Sequence, residues 1–238
     1  GLYSSSTGII DSYCYMQTLL TLAEQQGVLY SPNTEFLSAN QHPYGYQVCL
    51  KTQEGEYRVQ CRSIINSSGL NAPEVARNID AVDKSLIPKY HFCRGHYYSY
   101  SGRSPFSHLI YPVPNKNATG LGIHATLDLS GQVRFGPDTQ YIDDKEYGFD
   151  GPMAENRKDR FIAAIQRYYP SIDHTRLQPS YSGIRPKLST ENESAKDFMI
   201  QDYTQHNVAG LINLLGIESP GLTASLAIAD VVVDKVDG

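Results

Sequence analysis

Three short segments have the order of residue types that lets a protein backbone bind an electron-rich ligand: an apolar strand, a glycine-containing loop and the start of a helix. They are residues 64–70, 183–187 and 214–223. The first turn of a helix carries unpaired backbone N–H groups and a partial positive charge, which suit a phosphate or a similar group. Gly216 and Gly221 also let the backbone approach a flat ligand closely. Spacing alone does not identify a site, because such successions are common in folded proteins.

Several well-known sites are excluded within these 238 residues. The sequence contains no G-x-G-x-x-G fingerprint, no phosphate-binding P-loop and no G-x-S-x-G elbow of a hydrolase. Its four cysteines have neither C-x-x-C pairs nor the spacing of metal ligands, so we expect no metal site and no disulfide scaffold. Reduced thiols of this kind indicate a cytoplasmic protein.

The charge and hydropathy pattern limits the kinds of partner that the protein is expected to bind. Twenty basic residues stand against 25 acidic ones, a net charge of −5, and no basic run is present, which argues against nucleic acid. No apolar stretch approaches the length of about 18 residues that a membrane-spanning helix needs. No signal-peptide pattern opens the sequence.

The periodicity predicts elements that would position the three segments. A helix capped by Asp11 or Ser12 runs to Gly27, and β-like runs over residues 28–30, 34–37, 46–50 and 57–61 predict an antiparallel meander. A strand over 63–66 precedes a helix over 73–79. Further strands are predicted over 91–100, 122–127, 132–135, 179–188, 197–201 and 211–215, with helices over 153–169 and 222–236. The fold class is α+β with mixed sheets.

Eight short motifs follow one another along the chain. They are residues 6–12 (STGIIDS), 65–73 (INSSGLNAP), 94–98 (RGHYY), 109–114 (LIYPVP), 121–124 (LGIH), 135–138 (FGPD), 182–187 (SGIRPK) and 216–225 (GIESPGLTAS). In this order they resemble the D-amino-acid-oxidase type of FAD-dependent oxidoreductase, in its L-2-hydroxyglutarate dehydrogenase/oxidase branch. The family's N-terminal βαβ unit with its G-x-G-x-x-G is not among them. We therefore expect the chain to be a fragment, about the C-terminal two-thirds of such an enzyme.

The resemblance implies a division of the chain into a D-amino-acid-oxidase-like substrate domain and part of a Rossmann-like FAD-binding domain. Residues 1–10 would be a substrate-domain strand and residues 11–79 part of the FAD-binding domain. Residues 80–207 would form the substrate domain, and residues 208–238 the last strand and helix of the FAD-binding domain. The cofactor-binding residues so implied are Ser68, Gly69, Gly216, Ser219, Pro220, Gly221, Leu222 and Thr223.

The same resemblance assigns roles to individual side chains. Arg185 would hold the α-carboxylate of the substrate, because a guanidinium forms two parallel N–H bonds to a carboxylate. His124 would take the hydroxyl proton, since imidazole titrates near neutral pH. Tyr98 and Tyr111 would offer hydroxyls to the distal carboxylate. The competing interpretations are a surface arginine, a core histidine and core tyrosines.

The implied activity is the oxidation of a 2-hydroxy acid, L-2-hydroxyglutarate to 2-oxoglutarate, by hydride transfer to FAD, with a quinone or oxygen as electron acceptor. Such an enzyme would be cytoplasmic, either free or peripheral to a membrane. Two alternatives stay open. One is an oxidase of glycine or a D-amino acid with the same fold, in which His124 would be dispensable. The other is a non-catalytic fragment or binding domain without flavin.

Overall fold

The computed structural model describes residues 1–113, 122–149 and 156–237. Its helices are α1 (Ser12–Gln25), α2 (Ala72–Arg77), α3 (Arg157–Gln166), α4 (Tyr203–His206) and α5 (Ser225–Asp237). Its strands are β1 (Glu35–His42), β2 (Gly45–Thr52), β3 (Gly55–Cys61), β4 (Ile64–Asn66), β5 (His91–Tyr100), β6 (His124–Leu127), β7 (Val133–Gly136), β8 (Gln140–Ile142), β9 (Leu177–Lys187), β10 (Met199–Gln201) and β11 (Leu211–Leu215). The mixture of helices with antiparallel and parallel strand pairs confirms the predicted fold class.

The chain divides into two compact units. The first consists of Gly1–Val28 and Cys93–Ile184, and the second of Leu29–Phe92 and Arg185–Gly238. The boundaries of these units differ from those predicted at residues 10, 79 and 207. The assignment of the parts to substrate and FAD-binding domains stays a prediction.

The first unit is built on one sheet with strand order β6-β7-β5-β8, in which β9 also pairs with β5. Helix α3 contributes Phe161 and Ile165 to a core that includes Tyr98 and Phe135, all of them buried. Apolar residues of α3 recur at the three- and four-residue spacing that puts them on one face. This core supports the strand pair β6–β7, on which His124 lies.

The second unit contains two sheets. Strands β1, β2 and β3 form the predicted antiparallel meander, and the other sheet has the order β10-β11-β4, with β11 parallel to β4. A core that includes Ala39, Tyr46, Ile79 and Leu211 packs between these elements. The hydroxyl of Tyr46 donates to the carbonyl of Ala209, two residues before β11, and this bond connects the meander to the second sheet.

Most local predictions are confirmed, and the exceptions have physical causes. The Asp11 carboxylate accepts from the Cys14 amide at 2.9 Å, which is the predicted cap of α1. Residues 1–10 and 28–30, predicted as strands, are neither helix nor strand, and no strand among the described residues pairs with them. Strand β8 and helix α4 were missed, although the Asp202–Gln205 capping box was a readable signal for α4.

Three predicted features fall partly outside the described residues. Residues 153–155 of the helix predicted over 153–169, Pro114 of the motif at 109–114 and Leu121 of the motif at 121–124 are not among them. Within the described part of the chain, no helix combines the length and apolar character that crossing a membrane requires.

Candidate functional site

Two loops of the second unit lie at one sheet edge because the strands before them are parallel neighbours. Strands β4 and β11 pair with Asn66 opposite Asn213. The loop after β4 contains Ser68 and Gly69, and the loop after β11 is residues 216–221. The carboxyl ends of parallel strands are where open α/β sheets bind ligands. The structure thus brings together the two groups of residues for which the resemblance implies cofactor binding.

A buried amide network joins β4 to β11 below these loops. The Asn66 side chain donates to the Asn213 side-chain oxygen at 2.9 Å and to the Ala72 carbonyl at 2.8 Å. The Ser68 hydroxyl donates to the Asn66 side-chain oxygen at 2.6 Å. Buried amides need such partners, so the network fixes where the first loop leaves the sheet. Sequence analysis missed it, although an asparagine within the apolar run 211–215 was a signal.

The loop after β11 begins at a position that excludes a side chain. Gly216 has a φ of 67°, and a Cβ there would lie 2.6 Å from Leu188. Its amide donates to the hydroxyl of buried Tyr90 at 2.7 Å. Burial raises the pKa of Tyr90, so its hydroxyl stays protonated at neutral pH. Glycine is therefore required at residue 216 by backbone conformation and by space together.

The loop forms a tight turn before α5 begins. The Gly221 amide donates to the Glu218 carbonyl at 2.6 Å, and a Cβ on Gly221 would lie 2.8 Å from that oxygen. The Thr223 hydroxyl donates to the Pro220 carbonyl at 3.0 Å, so this side chain stabilises the turn itself. Gly221 is buried, whereas Ser219, Pro220, Leu222 and Thr223 are exposed. The exposed backbone of this turn leads into the thirteen-residue helix α5.

An ion pair attaches this loop to the end of β9. Lys187 Nζ lies 2.7 Å from Glu218 Oε1, and both side chains are largely buried. Arg185 lies two residues before Lys187 on the same strand, so the two side chains leave the same face of β9. Arg185 itself is half-buried. The pair thereby sets the loop's position along the strand that carries the predicted carboxylate-binding arginine.

His124 has a defined tautomer in the first unit. Its Nδ1 lies 3.1 Å from the Gly122 carbonyl oxygen, which can only accept a hydrogen bond. Nδ1 of the neutral ring therefore carries the proton, and Nε2 carries the lone pair that a general base needs. The residue is 8% exposed. Burial and tautomer are both compatible with a base that acts on a bound hydroxyl group.

Both ring nitrogens of His96 have partners inside the protein. Nδ1 lies 2.7 Å from Asp138 Oδ1, and Nε2 lies 2.9 Å from the Gly148 carbonyl. Burial alone would raise the pKa of Asp138, but hydrogen bonds from His96 and the charge of Arg157 lower it overall. The carboxylate is thus held ionised in the interior. These contacts give His96 a structural role.

The two predicted substrate tyrosines occupy different environments. Tyr98 is 4% exposed, and its ring packs on Phe161 with centroids 4.6 Å apart, an environment that favours the core interpretation. Tyr111 is half-exposed and its ring stacks on His124, with centroids 4.4 Å apart. The structure therefore brings Tyr111 and His124 together. Both belong to the first unit, whereas Arg185 and the two loops belong to the second.

The sequence is similar to known proteins over nearly its whole length. Residues 1–235 match the family described as DAO, FAD dependent oxidoreductase. A mitochondrial L-2-hydroxyglutarate dehydrogenase of Arabidopsis thaliana is 36% identical over 98% of this chain and 55% of its own length. An L-2-hydroxyglutarate dehydrogenase of Escherichia coli K12 is 23% identical over 99% of this chain and 61% of its own length. The chain thus spans little more than half the length of these curated relatives.

A solved structure supports the same family at the level of the fold. The L-α-glycerophosphate oxidase of Mycoplasma pneumoniae, solved with FAD bound, superposes with a TM-score of 0.75. It covers 93% of this chain and 55% of its own chain, at 22% sequence identity. The match over residues 1–235, the glycine loops at the carboxyl ends of β4 and β11 and this shared fold lead to one conclusion. The chain belongs to the DAO family of FAD-dependent oxidoreductases.

Proposed function

We propose that the whole protein containing this chain oxidises a 2-hydroxy acid, L-2-hydroxyglutarate, to 2-oxoglutarate. The observation that carries the proposal is the environment of His124, whose Nδ1 proton is held by the Gly122 carbonyl at 3.1 Å. That bond directs the basic lone pair to Nε2, as removal of a hydroxyl proton requires. The 36% identity to the dehydrogenase of Arabidopsis thaliana supports the choice of substrate.

The residues of the second unit fit FAD. Gly69 has a φ of 57°, and no atom lies within 4 Å of a Cβ built there, so the backbone is open to close approach. The turn at residues 219–223 leads into α5, where backbone amides and the helix dipole favour an electron-rich group. Residues 68–69, 216 and 219–223 would hold the cofactor, most of them through the backbone. When bound, FAD supplies the acceptor for the hydride that leaves the Cα of the substrate.

Arg185 would bind and orient the substrate. Its guanidinium matches the α-carboxylate with two parallel N–H donors, which fixes orientation as well as charge. Lys187 and Glu218 keep the adjoining loop at a set position on the same strand. Arg185 is half-buried, and partial exclusion of water strengthens its attraction for a carboxylate.

His124 would take the hydroxyl proton at Nε2 as the carbonyl forms. The resulting imidazolium keeps its hydrogen bond to the Gly122 carbonyl, because Nδ1 is a donor in both protonation states. The proton thus moves without a change in the hydrogen bond at Nδ1. An amine substrate that binds in its neutral form needs no such base, so the role of His124 distinguishes a hydroxy-acid enzyme from the amino-acid oxidase alternative.

Stopped-flow reduction of the flavin in the full-length protein by L-2-hydroxyglutarate tests these roles. We expect His124→Ala to lower the reduction rate by about 10²–10⁴-fold with a smaller change in KM. We expect Arg185→Ala to cost roughly 3–5 kcal/mol in kcat/KM, with KM raised, and Arg185→Lys to recover part of the loss. His108→Ala and Arg58→Ala, which alter exposed residues of the same types, serve as controls.

Three outcomes of these experiments would contradict the proposed roles or the proposed function. A His124→Ala variant that reduces flavin at the wild-type rate would assign that histidine a structural role. A wild-type protein that prefers glycine or a D-amino acid over every 2-hydroxy acid would support the amino-acid oxidase. A full-length protein that purifies without flavin would support the non-catalytic alternative.

The electron acceptor that we propose is a quinone or oxygen. Oxygen consumption measured with and without a soluble quinone analogue distinguishes the two. Cell fractionation of the full-length protein tests the predicted location, cytoplasmic or peripheral to a membrane.

A further inference from the structure

Tyr111 and His124 face each other across a short antiparallel contact. The Ile110 amide donates to the Ala125 carbonyl at 3.0 Å, and the Ala125 amide donates to the Ile110 carbonyl at 2.9 Å. This reciprocal pair places Tyr111 directly opposite His124, at a position where strands approach closely and cross-strand side chains touch. The observed ring stack, with an interplanar angle of 16°, is the consequence.

Two further contacts involve the backbone around His124. The Tyr168 hydroxyl donates to the Ile123 carbonyl at 3.1 Å. A Cβ at Gly122 would lie 3.1 Å from Pro112, so that glycine allows the segment after Tyr111 to pack against the start of β6. Gly122 also has a φ of 76°, and its carbonyl accepts from His124. The imidazole thus has a backbone partner at Nδ1, and the tyrosine ring covers one of its faces.

We propose that Tyr111 is a positioning residue for His124, and that it acts through its ring rather than its hydroxyl. The hydrogen bond at Nδ1 sets the position of one ring atom, and the stacked tyrosine ring sets the plane of the imidazole and hence the direction of the Nε2 lone pair. The inference rests on the proposed function for the reaction that the histidine serves. It replaces the sequence-based expectation that the Tyr111 hydroxyl binds the distal carboxylate.

The ring and the hydroxyl are separated by two substitutions in the full-length flavoprotein. Tyr111→Phe keeps the stack and removes the hydroxyl, so we expect flavin reduction within about 2-fold of wild type. Tyr111→Leu removes the stack, and we expect the reduction rate to fall by about 10- to 100-fold, since small misplacements of a catalytic group have effects of that size. KM for L-2-hydroxyglutarate should change less than kcat in the leucine variant.

A second readout does not depend on activity. Diethyl pyrocarbonate acylates neutral imidazole, and peptide mass spectrometry reports the rate at His124 alone. We expect this rate to rise several-fold in Tyr111→Leu and to stay at the wild-type value in Tyr111→Phe. The matched control is Tyr181→Leu, because Tyr181 is 50% exposed against 49% for Tyr111 and is also stacked, on Tyr97 at 4.6 Å.

Three results would overturn the proposed role of the Tyr111 ring or the proposed function. Equal losses of flavin reduction in Tyr111→Phe and Tyr111→Leu would overturn the proposal in favour of a hydroxyl contact with substrate. An unchanged acylation rate in Tyr111→Leu, or the same rise in Tyr181→Leu, would also overturn it. If no 2-hydroxy acid reduces the wild-type flavin, the proposed function fails, while the acylation rates still show whether the tyrosine ring covers the histidine.

Discussion

At the scale of single residues, burial and hydrogen-bond partners differ between His96 and His124. His96 is fully buried with Asp138 and Gly148 on its two nitrogens, whereas His124 has the neighbouring Gly122 carbonyl at Nδ1 and is covered by Tyr111. The resemblance singled out His124 from its strand motif. The partners of His96 lie 42 and 52 positions away in sequence, so no local pattern reveals them.

The environment of His206 leads to a prediction about how the free energy of unfolding depends on pH. It is 5% exposed, and its Nδ1 accepts from the Val208 amide at 3.1 Å. Burial lowers the pKa of His206, and backbone contacts with Gln201 and Leu211 together with the charge of Asp202 offset this only in part. Its folded pKa therefore lies below the value of about 6.5 for an unfolded chain.

The direction in which the unfolding free energy changes with pH follows from the number of protons that the folded and unfolded states bind. Between these two pKa values the unfolded state binds more protons, so the stability contribution is present above about pH 6.5 and decreases as the pH falls. We expect His206→Asn, whose side-chain oxygen can replace Nδ1 as acceptor, to flatten the decrease in unfolding free energy below pH 6.5. His174→Asn, at an exposed histidine, is the control. Parallel pH profiles for wild type and His206→Asn would contradict the prediction.

At the scale of elements, β9 and the loop after β11 are coupled by Lys187 and Glu218. Both partners are largely buried, and removing one leaves an uncompensated charge. We expect Lys187→Met to lower the unfolding free energy by roughly 3 kcal/mol, and Glu218→Gln, which keeps an acceptor, by roughly 1 kcal/mol. Urea unfolding followed by far-ultraviolet circular dichroism is suitable, since the chain has no tryptophan.

A double substitution tests whether the two residues act as a pair. Lys187→Met with Glu218→Leu removes both charges, and we expect it to destabilise the protein less than Lys187→Met alone. If the loss of unfolding free energy in the double variant equals the sum of the losses in the two single variants, the ion pair does not couple the strand to the loop.

At the scale of the whole molecule, the loops that we propose to hold FAD lie after β4 and β11, and the 238-residue sequence has no G-x-G-x-x-G fingerprint. That fingerprint is where dinucleotide-binding folds hold the pyrophosphate. Each hydrogen bond to a charged group is worth about 1.5–3 kcal/mol, so losing two of them weakens binding by at least about 100-fold. We expect the 238-residue chain to bind FAD at least that much more weakly than the full-length protein.

Titration calorimetry with FAD on both proteins measures this difference. Loss of the yellow flavin absorbance from the chain on gel filtration, with retention by the full-length protein, is the expected qualitative result. Tight, stoichiometric retention by the 238-residue chain would show that its own residues hold the pyrophosphate.

Local elements were largely predictable because short-range forces determine them. The Asp11 cap of α1, the meander β1–β3 and the β6–β7 hairpin follow from capping, alternation and turn residues within a few positions of each other. The glycine loops after β4 and β11 were also recognisable as strand–loop–helix segments. The eight motifs in their order indicated the family, and the match over residues 1–235 confirms that family.

Tertiary structure decided what those loops and side chains contact. The Asn66–Asn213 bond joins residues 147 positions apart, and Lys187 and Glu218 are 31 apart. The contact of Tyr111 with substrate stays a prediction, whereas the structure shows that the pairing of Ile110 with Ala125 stacks its ring on His124. Sequence determines the types of residue and their local conformation. Burial, ion pairing and stacking depend on partners that only folding brings together.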